Sequence, residues 1–307
     1  MPNILITNIC NQKCSYCFAY NEFKREKTEM SFNNFKLVLD FLKNSKEKTV
    51  RLMGGEPTIH SQFKEIIGYT FSQGFSLKIY TNGIFPSNLA KFLAKYKNQI
   101  RYSFNVNSPN SYSMKTWNQV NKNLGILSPF RNILVGNVIY QKDFNIDYLI
   151  DLAKKYSLRG ILLRTANPII NQNNKYISLK DYSVLVKNLI KGIKQANQNK
   201  IGVGFGCGLA KKSFSKMEQR LIKDYQVVTR GWGCNGNSGR FDIGVDLSVF
   251  RCFPLSYWRK KKLSDFSNTK EAERYFIKTM EKYESGNISL DSVNQGPCFA
   301  YLLKSRK

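Results

Sequence analysis

The sequence has no apolar stretch approaching the roughly 18 to 20 residues that a membrane span needs, so it predicts no membrane association. Its opening residues, "MPNILITN", lack the basic segment and following apolar segment of a signal peptide. A cytoplasmic, reducing location is the resulting expectation. There, the seven cysteines read as metal ligands or catalytic thiols rather than disulfides. No internal repeat and no low-complexity tail is present. Histidine is nearly absent: His60 is the sole one, and after "GGEPTI" it reads as a helix-start residue more readily than as a ligand. Acidic residues are scarce, 21 against 48 Lys and Arg, which leaves a formal net charge of +27. Such an excess suits a polyanion partner, nucleic acid or an acidic peptide, or else simply a surface written in Lys. The tightest run is Arg259-Lys260-Lys261-Lys262, after the aromatic pair Tyr257-Trp258. No nucleic-acid-binding motif of the usual kinds accompanies the charge, so the surface reading is preferred. Cysteine is counted as neutral, and bound thiolates would lower the total.

What is present is a chain of 307 residues with 42% apolar and 13% aromatic residues, enough for a sizeable core. Strand-like runs occur at "NILITN" (3–8), "TVRLMGG" (49–55), "SLKIYTN" (76–82), "RYSFNVN" (101–107), "NILVGNVIY" (132–140) and "RGILLRT" (159–165). Helical spacing fills the gaps. Phe32, Phe35, Leu39 and Leu42 step by three or four after a Ser31 cap, as do Phe63, Ile66, Ile67 and Phe71. Leu89, Phe92 and Leu93, then Tyr148, Leu149 and Leu152, mark shorter apolar faces, and a long helix is expected over 179–198. Strands alternating with helices predict an α/β fold with a parallel sheet. Six units are countable where a closed barrel needs about eight, so the expectation is a partial (β/α)6 barrel over 1–200. From 201 the chain turns Gly- and Cys-rich, which predicts a small second domain over 201–307.

Cys10, Cys14 and Cys17 lie directly after the first strand in the spacing C-x3-C-x2-C. Zinc sites usually come as two C-x2-4-C halves, and the bacterial ferredoxin run carries four cysteines and a proline. Three thiolates on a [4Fe–4S] cluster leave one iron open for an exogenous ligand. Gly54-Gly55-Glu56-Pro57 follows the second strand, and Thr81-Asn82-Gly83 ends the third.

With these motifs the sequence resembles the radical S-adenosylmethionine (SAM) superfamily, in which the open iron chelates the amino and carboxylate groups of SAM. The resemblance assigns Tyr16 to the family's aromatic position before the third cysteine, and Phe18 to where the backbone meets adenine. "GGEP" matches a family signature, whose glycines let the backbone approach a ligand and whose carboxylate or carbonyl accepts from the methionine ammonium. Thr81 and Asn82, then Asn105, Asn107 and Asn137 near the ends of later strands, take positions where polar groups meet SAM. Arg164, ending the sixth strand, suits the SAM carboxylate as a bidentate partner.

The remaining cysteines, Cys207, Cys234, Cys252 and Cys298, all lie past residue 200. "FDIGVDLSVFRC" resembles the hairpin of the twitch and SPASM auxiliary-cluster domains, except that Leu247 stands where the family turn has glycine. The resemblance implies one auxiliary [4Fe–4S] cluster in a twitch-like domain. Two alternatives stay open: zinc on the same four thiolates, or a three-cysteine cluster whose remaining thiol donates a hydrogen atom to a substrate radical.

The resemblance implies reductive cleavage of SAM to a 5′-deoxyadenosyl radical that abstracts hydrogen from substrate. Members with such extensions mostly resemble peptide maturases, which build thioether or carbon–carbon crosslinks or epimerise residues. The expected substrate is therefore a peptide or small protein, and a basic surface suits an acidic leader. A flavodoxin- or ferredoxin-like electron donor is expected. The chain starts almost at its first strand, so leader recognition is expected from the core, the C-terminal domain or a separate protein. RNA, nucleotide or small-molecule modification is the alternative. A non-catalytic zinc- or nucleic-acid-binding module leaves "GGEP" and the six repeated units unexplained.

Overall fold

Alternating apolar residues build the sheet. In β2 (Thr49–Gly54) and β3 (Ser76–Thr81), Val50, Leu52, Leu77 and Ile79 are buried, while Arg51, Met53, Lys78 and Tyr80 occupy the opposite face. With β1 (Asn3–Thr7), β4 (Ile100–Asn105), β5 (Ile133–Ile139) and β6 (Gly160–Thr165), these strands pair in parallel in chain order. The computed structural model describes residues 1–18, 27–169, 173–229, 239–256, 260–287 and 301.

Helices cover one face of the sheet. α1 (Phe32–Asn44) starts where the Ser31 hydroxyl accepts the Asn34 N–H, and it buries Phe35, Val38, Leu39, Phe41 and Leu42. Each such side chain stabilises the fold by about 1.5–3 kcal/mol when fully buried. α2 (Phe63–Ser72) buries Phe63, Ile66 and Ile67, and α3 (Ser87–Ala94) buries Leu89 and Leu93. α4 (Met114–Leu127) has a thin apolar face of Val120, Leu124 and Leu127, with Asn123 buried among them. Asn123 donates to the carbonyls of Gly83 and Phe85, and so ties α4 to the loop after β3. α5 (Asp147–Lys155) and α6 (Tyr182–Gln198) complete this layer up to residue 200. Strands and helices share one continuous core.

The other face mixes apolar residues such as Leu5, Met53 and Leu162 with polar and charged ones on β2 to β4 and β6, unusual for a parallel sheet, which ordinarily buries both faces under apolar cover. Arg164 on β6 hydrogen-bonds Ser103 on β4 and lies over the Tyr80 ring of β3, with guanidinium carbon 6.0 Å from the ring centroid. On a flat sheet β6 and β3 would stand about 14 Å apart, three strand spacings. The sheet therefore curls around this face, as expected of a partial barrel.

Past residue 200 the chain adds strands to both edges of the same sheet. β7 (Val203–Phe205) pairs in parallel with β6. β8 (Asp242–Ile243) pairs in parallel with β1 and antiparallel with β9 (Ser248–Phe250), which pairs with β10 (Lys261–Lys262). The sheet thus runs across the boundary expected at 200. The hairpin expected around "FDIGVDLSVFRC" is present, and Leu247 sits in its turn at φ 61°, the left-handed region that glycine adopts without strain. α7 (Lys216–Asp224) and α8 (Thr269–Asn287) are the remaining helices described. Among the described residues no helix is long and apolar enough to cross a membrane.

Candidate active site

Parallel strands all deliver their C-terminal ends to one edge, so Cys10, Cys14 and Cys17 after β1 meet the ends of β2 to β5 there. The cysteine segment is held by backbone bonds to the second motif: Gly55 N–H donates to Thr7 O at 2.8 Å, and Glu56 N–H to Ile9 O at 2.8 Å. A Cβ on Gly54 would stand 2.2 Å from Thr7 O, and one on Gly55 2.0 Å from Ile9 O. Both glycines are thus demanded by the approach of the protein's own backbone. Pro57 then opens a short 3-10 turn.

The Glu56 carboxylate is buried, 1% exposed, and engaged by the protein itself. Oε1 accepts from Thr58 N–H at 3.2 Å, Thr58 Oγ1 at 2.6 Å and Thr81 Oγ1 at 2.7 Å, and Oε2 accepts from Asn82 N–H at 2.7 Å. Burial pushes its pKa up, and these donors oppose the rise. Asn82 continues the chain of contacts, with Nδ2 2.7 Å from Asn11 Oδ1 and 4.0 Å from Cys10 Sγ. The motifs expected to touch cofactor therefore also brace one another.

The three cysteines are half-buried, and none of the five described cysteines forms a disulfide. Gln12 N–H points at Cys10 Sγ at 3.4 Å, and Cys17 N–H donates to Cys14 O at 3.0 Å. Burial pushes the Cys10 thiol up to about 11, with the Glu56 charge adding to the rise.

Tyr16 joins the next pair. Its hydroxyl donates to Asn107 Oδ1 at 2.5 Å and accepts from Asn105 Nδ2 at 3.1 Å, while its ring stacks on Tyr140 at 5.0 Å. Burial holds the phenol well above its usual pKa, so it stays neutral. Asn105 Oδ1 is buried with no hydrogen-bond partner. A cavity of about 810 Å³ opens beside this group, lined in part by Cys14, Tyr16, Asn107, Asn137, Tyr140 and Tyr148.

The other expected residues have contacts of their own. Asn137 lies on the helix-facing side of β5, where its Nδ2 donates to the Tyr148 hydroxyl of α5, although it still reaches the cavity rim. Arg164 turns its guanidinium onto Ser103 Oγ at 2.8 Å, two positions before Asn105 on β4. Phe18 packs on Phe253, ring centroids 3.8 Å apart, next to Cys252 at the end of the C-terminal hairpin. Cys207 follows β7 and accepts from Arg240 Nη1 at 3.0 Å. Cys234 and Cys298 lie outside the described residues. His60 has both ring nitrogens engaged: Nδ1 accepts from Gln62 N–H at 3.0 Å, so Nε2 donates to Met30 O at 3.0 Å. It is a structural residue, as its position suggested. Tyr140 and Tyr112, whose hydroxyl accepts the Asn107 N–H, were not legible as site residues because tyrosine in a loop carries no spacing signal, and Tyr148 read only as part of an apolar helix face.

Residues 4–154 match the family model described as the Radical SAM superfamily. That segment, just under half of the chain, carries the radical SAM signature. Over 82 residues it is 38% identical to the S-adenosylmethionine-dependent nucleotide dehydratase of Selenomonas ruminantium, covering 26% of this chain and 29% of that protein. Over 282 residues it is 25% identical to the radical SAM cyclopropyl synthase TigE of Paramaledivibacter caminithermalis, covering 80% and 59%. The chain thus spans under two thirds of the length of these curated relatives. SuiB of Streptococcus suis bound to S-adenosylmethionine superimposes with a TM-score of 0.71 at 15% identity, covering 98% of this chain and 73% of that one. SuiB bound to precursor peptide SuiA gives 0.70. At that identity the likeness is one of fold.

The radical SAM match implies a [4Fe–4S] cluster and SAM, and the residues fit both. Three thiols on one loop form the soft donor set such a cluster takes. Among the described residues no three His, Cys, Asp or Glu side chains converge as ligands of a single ion must. Thiolates that each hold a different iron of a cluster need no such convergence. The unpartnered Asn105 Oδ1 supplies a buried acceptor for a donor that a ligand brings.

Proposed function

We propose that the chain is a radical SAM enzyme whose substrate is a peptide or small protein. The observation that carries the radical reading is the bracing of the cysteine loop, through Glu56 and Asn82, against strand ends that present Tyr16, Asn105 and Asn107. Cys10, Cys14 and Cys17 would hold the cluster, which would supply the electron for reductive cleavage of SAM and so the radical chemistry at the substrate. The chain's own part is to hold the ligands, orient them and exclude water. Glu56 and Asn82 fix the thiol loop, and the neutral Tyr16 phenol fixes the two asparagines.

The peptide reading draws support from the fold shared with SuiB over 98% of this chain, since that protein is solved bound to a precursor peptide. Thioether or carbon–carbon crosslinking and epimerisation are the modifications in view. A twitch-like auxiliary [4Fe–4S] cluster on Cys207, Cys234, Cys252 and Cys298 belongs to the same proposal, supported by the β8–β9 hairpin leading into Cys252. The setting is a reducing cytoplasm with a flavodoxin- or ferredoxin-like donor. A nucleotide substrate is the second reading, favoured by the similarity to the nucleotide dehydratase.

The test is anaerobic reconstitution, iron and sulfide counting, then assay of 5′-deoxyadenosine with SAM and dithionite. About eight irons with deoxyadenosine formed supports two clusters. About four irons with deoxyadenosine removes the auxiliary cluster. Deoxyadenosine formation that persists when Cys10, Cys14 and Cys17 are all replaced by Ala overturns the radical assignment.

A further inference from the structure

The inner face of the barrel carries a ladder of cations. Arg51 on β2 is the cross-strand partner of Lys78 on β3, and Lys78 that of Arg101 on β4. Cross-strand partners on one face lie only about 5 Å apart, and like charges so placed repel. Arg164 reaches the same region from β6: its guanidinium carbon and Lys78 Nζ both lie over the Tyr80 ring, at 6.0 and 4.8 Å. No carboxylate among the described residues is within ion-pair distance of Arg51, Lys78 or Arg164. The acid found on this face, Asp242, accepts instead from Asn3 and sits 4.0 Å from Arg240.

These charges are not spread into water. Arg51, Lys78 and Arg164 are each partly buried, and Arg51 Nε is a buried donor without an acceptor. Burial lowers the pKa of Lys78, Tyr80 opposes the shift, and the Arg164 and Arg51 charges add to it. A protein that spends the inner face of its barrel on unneutralised cations has left a place for an anion. The position is set by β-register: Tyr80 pairs with Ser103, two residues before Asn105, so the cations lie on the N-terminal side of the Tyr16–Asn105–Asn107 group.

We propose that Arg51, Lys78 and Arg164 form an oxyanion subsite on the barrel's inner face that receives a carboxylate or phosphate of the substrate. The proposal rests on the radical SAM reading for the statement that the bound anion belongs to the substrate. A carboxylate would come from an acidic side chain of a peptide, a phosphate from a nucleotide. Arg presents paired N–H donors to either oxyanion, and Lys adds a point charge between them. The subsite places the anionic end of the substrate on the strand side, with the reacting carbon toward the cysteine edge.

The test uses iron-reconstituted full chain, titrated with inorganic pyrophosphate and, separately, with triglutamate, each with saturating SAM present. Lys78→Gln and Arg51→Gln are compared with Lys223→Gln, which removes the same charge from the exposed side of α7. The expected result is that at least one probe binds and that each inner-face variant weakens it roughly ten- to a hundredfold, with Lys223→Gln unchanged. Binding of triglutamate supports the peptide source, and binding of pyrophosphate alone supports the subsite with a nucleotide source. A thermal melt in phosphate-free buffer supplies the second measurement: relieving the ladder's repulsion should hold or raise the Tm of Lys78→Gln, whereas a purely structural lysine would lower it. No binding of either probe with SAM bound, or equal weakening by Lys223→Gln, overturns the proposal. Absence of deoxyadenosine formation with probe binding intact removes the radical reading and leaves the oxyanion subsite standing.

Discussion

Glu56 Oε2 accepts the backbone N–H of Asn82 at 2.7 Å, and this bond joins the end of β3 to the turn that follows β2. The same carboxylate takes both hydroxyls of Thr58 and Thr81. Replacing it by Ala leaves several buried donors without acceptors, at about 1–3 kcal/mol each. Glu56→Ala is expected to destabilise the metal-free protein by about 3 kcal/mol or more, read as the urea midpoint. An unchanged midpoint accompanied by lost SAM binding would show that the carboxylate serves ligand alone.

Gly55→Ala places a Cβ 2.0 Å from Ile9 O unless the backbone moves. Overpacking of this kind costs about 1–3 kcal/mol. Because the atom displaced belongs to the segment just before Cys10, iron retained after reconstitution should fall together with stability. Full iron content in Gly55→Ala would contradict the claim that this close approach sets the thiol loop.

Tyr16→Phe deletes one donor and one acceptor, leaving Asn107 Oδ1 and Asn105 Nδ2 without their hydroxyl. Two part-buried polar groups lose a partner, so a cost of about 1–3 kcal/mol is expected. SAM binding, measured by equilibrium dialysis on reconstituted protein, should weaken severalfold while iron content stays near that of the unsubstituted chain. Equal loss of iron would make Tyr16 part of the cluster's support instead.

Asp242 is fully buried, and burial raises its pKa above the usual carboxylate value. The folded state therefore keeps its proton to higher pH than the unfolded state. In the window starting at the usual carboxylate value and extending upward, the folded state binds more protons, so stability falls as pH rises. Asp242→Asn retains an oxygen for Asn3 and removes the charge, and its urea midpoint should vary less with pH over that window. A profile parallel to that of the unsubstituted chain would exclude Asp242 as the source.

Much of the sheet was legible because each strand pairs an apolar alternation with an adjacent helix of apolar spacing. β1 to β6 fall within a residue or two of the expected runs, and Phe35, Leu39 and Leu42 are core residues as their spacing required. α4 was not legible: its buried face is thin and includes Asn123, whose partners Gly83 O and Phe85 O are contributed by a distant loop. Among site residues, Tyr16, Asn105 and Asn107 were singled out separately, and only folding shows them to be one hydrogen-bonded group. Asn137 was grouped with them as a polar residue on the fifth strand, and the one-residue parity of β5 turns it toward Tyr148. Arg164 was matched to a cofactor carboxylate, and only folding shows that its guanidinium hydrogen-bonds Ser103.

The sequence by itself determined the parallel α/β architecture, the three-cysteine loop and the likeness to the radical SAM superfamily, because these depend on local period and short spacing. Tertiary structure alone decided what the motif glycines touch, that Glu56 braces Asn82, and that Arg51, Lys78 and Arg164 share one face. The physical reason is common to all three. Curvature and register bring together side chains from separate strands, and neither quantity is written in the spacing of any one segment.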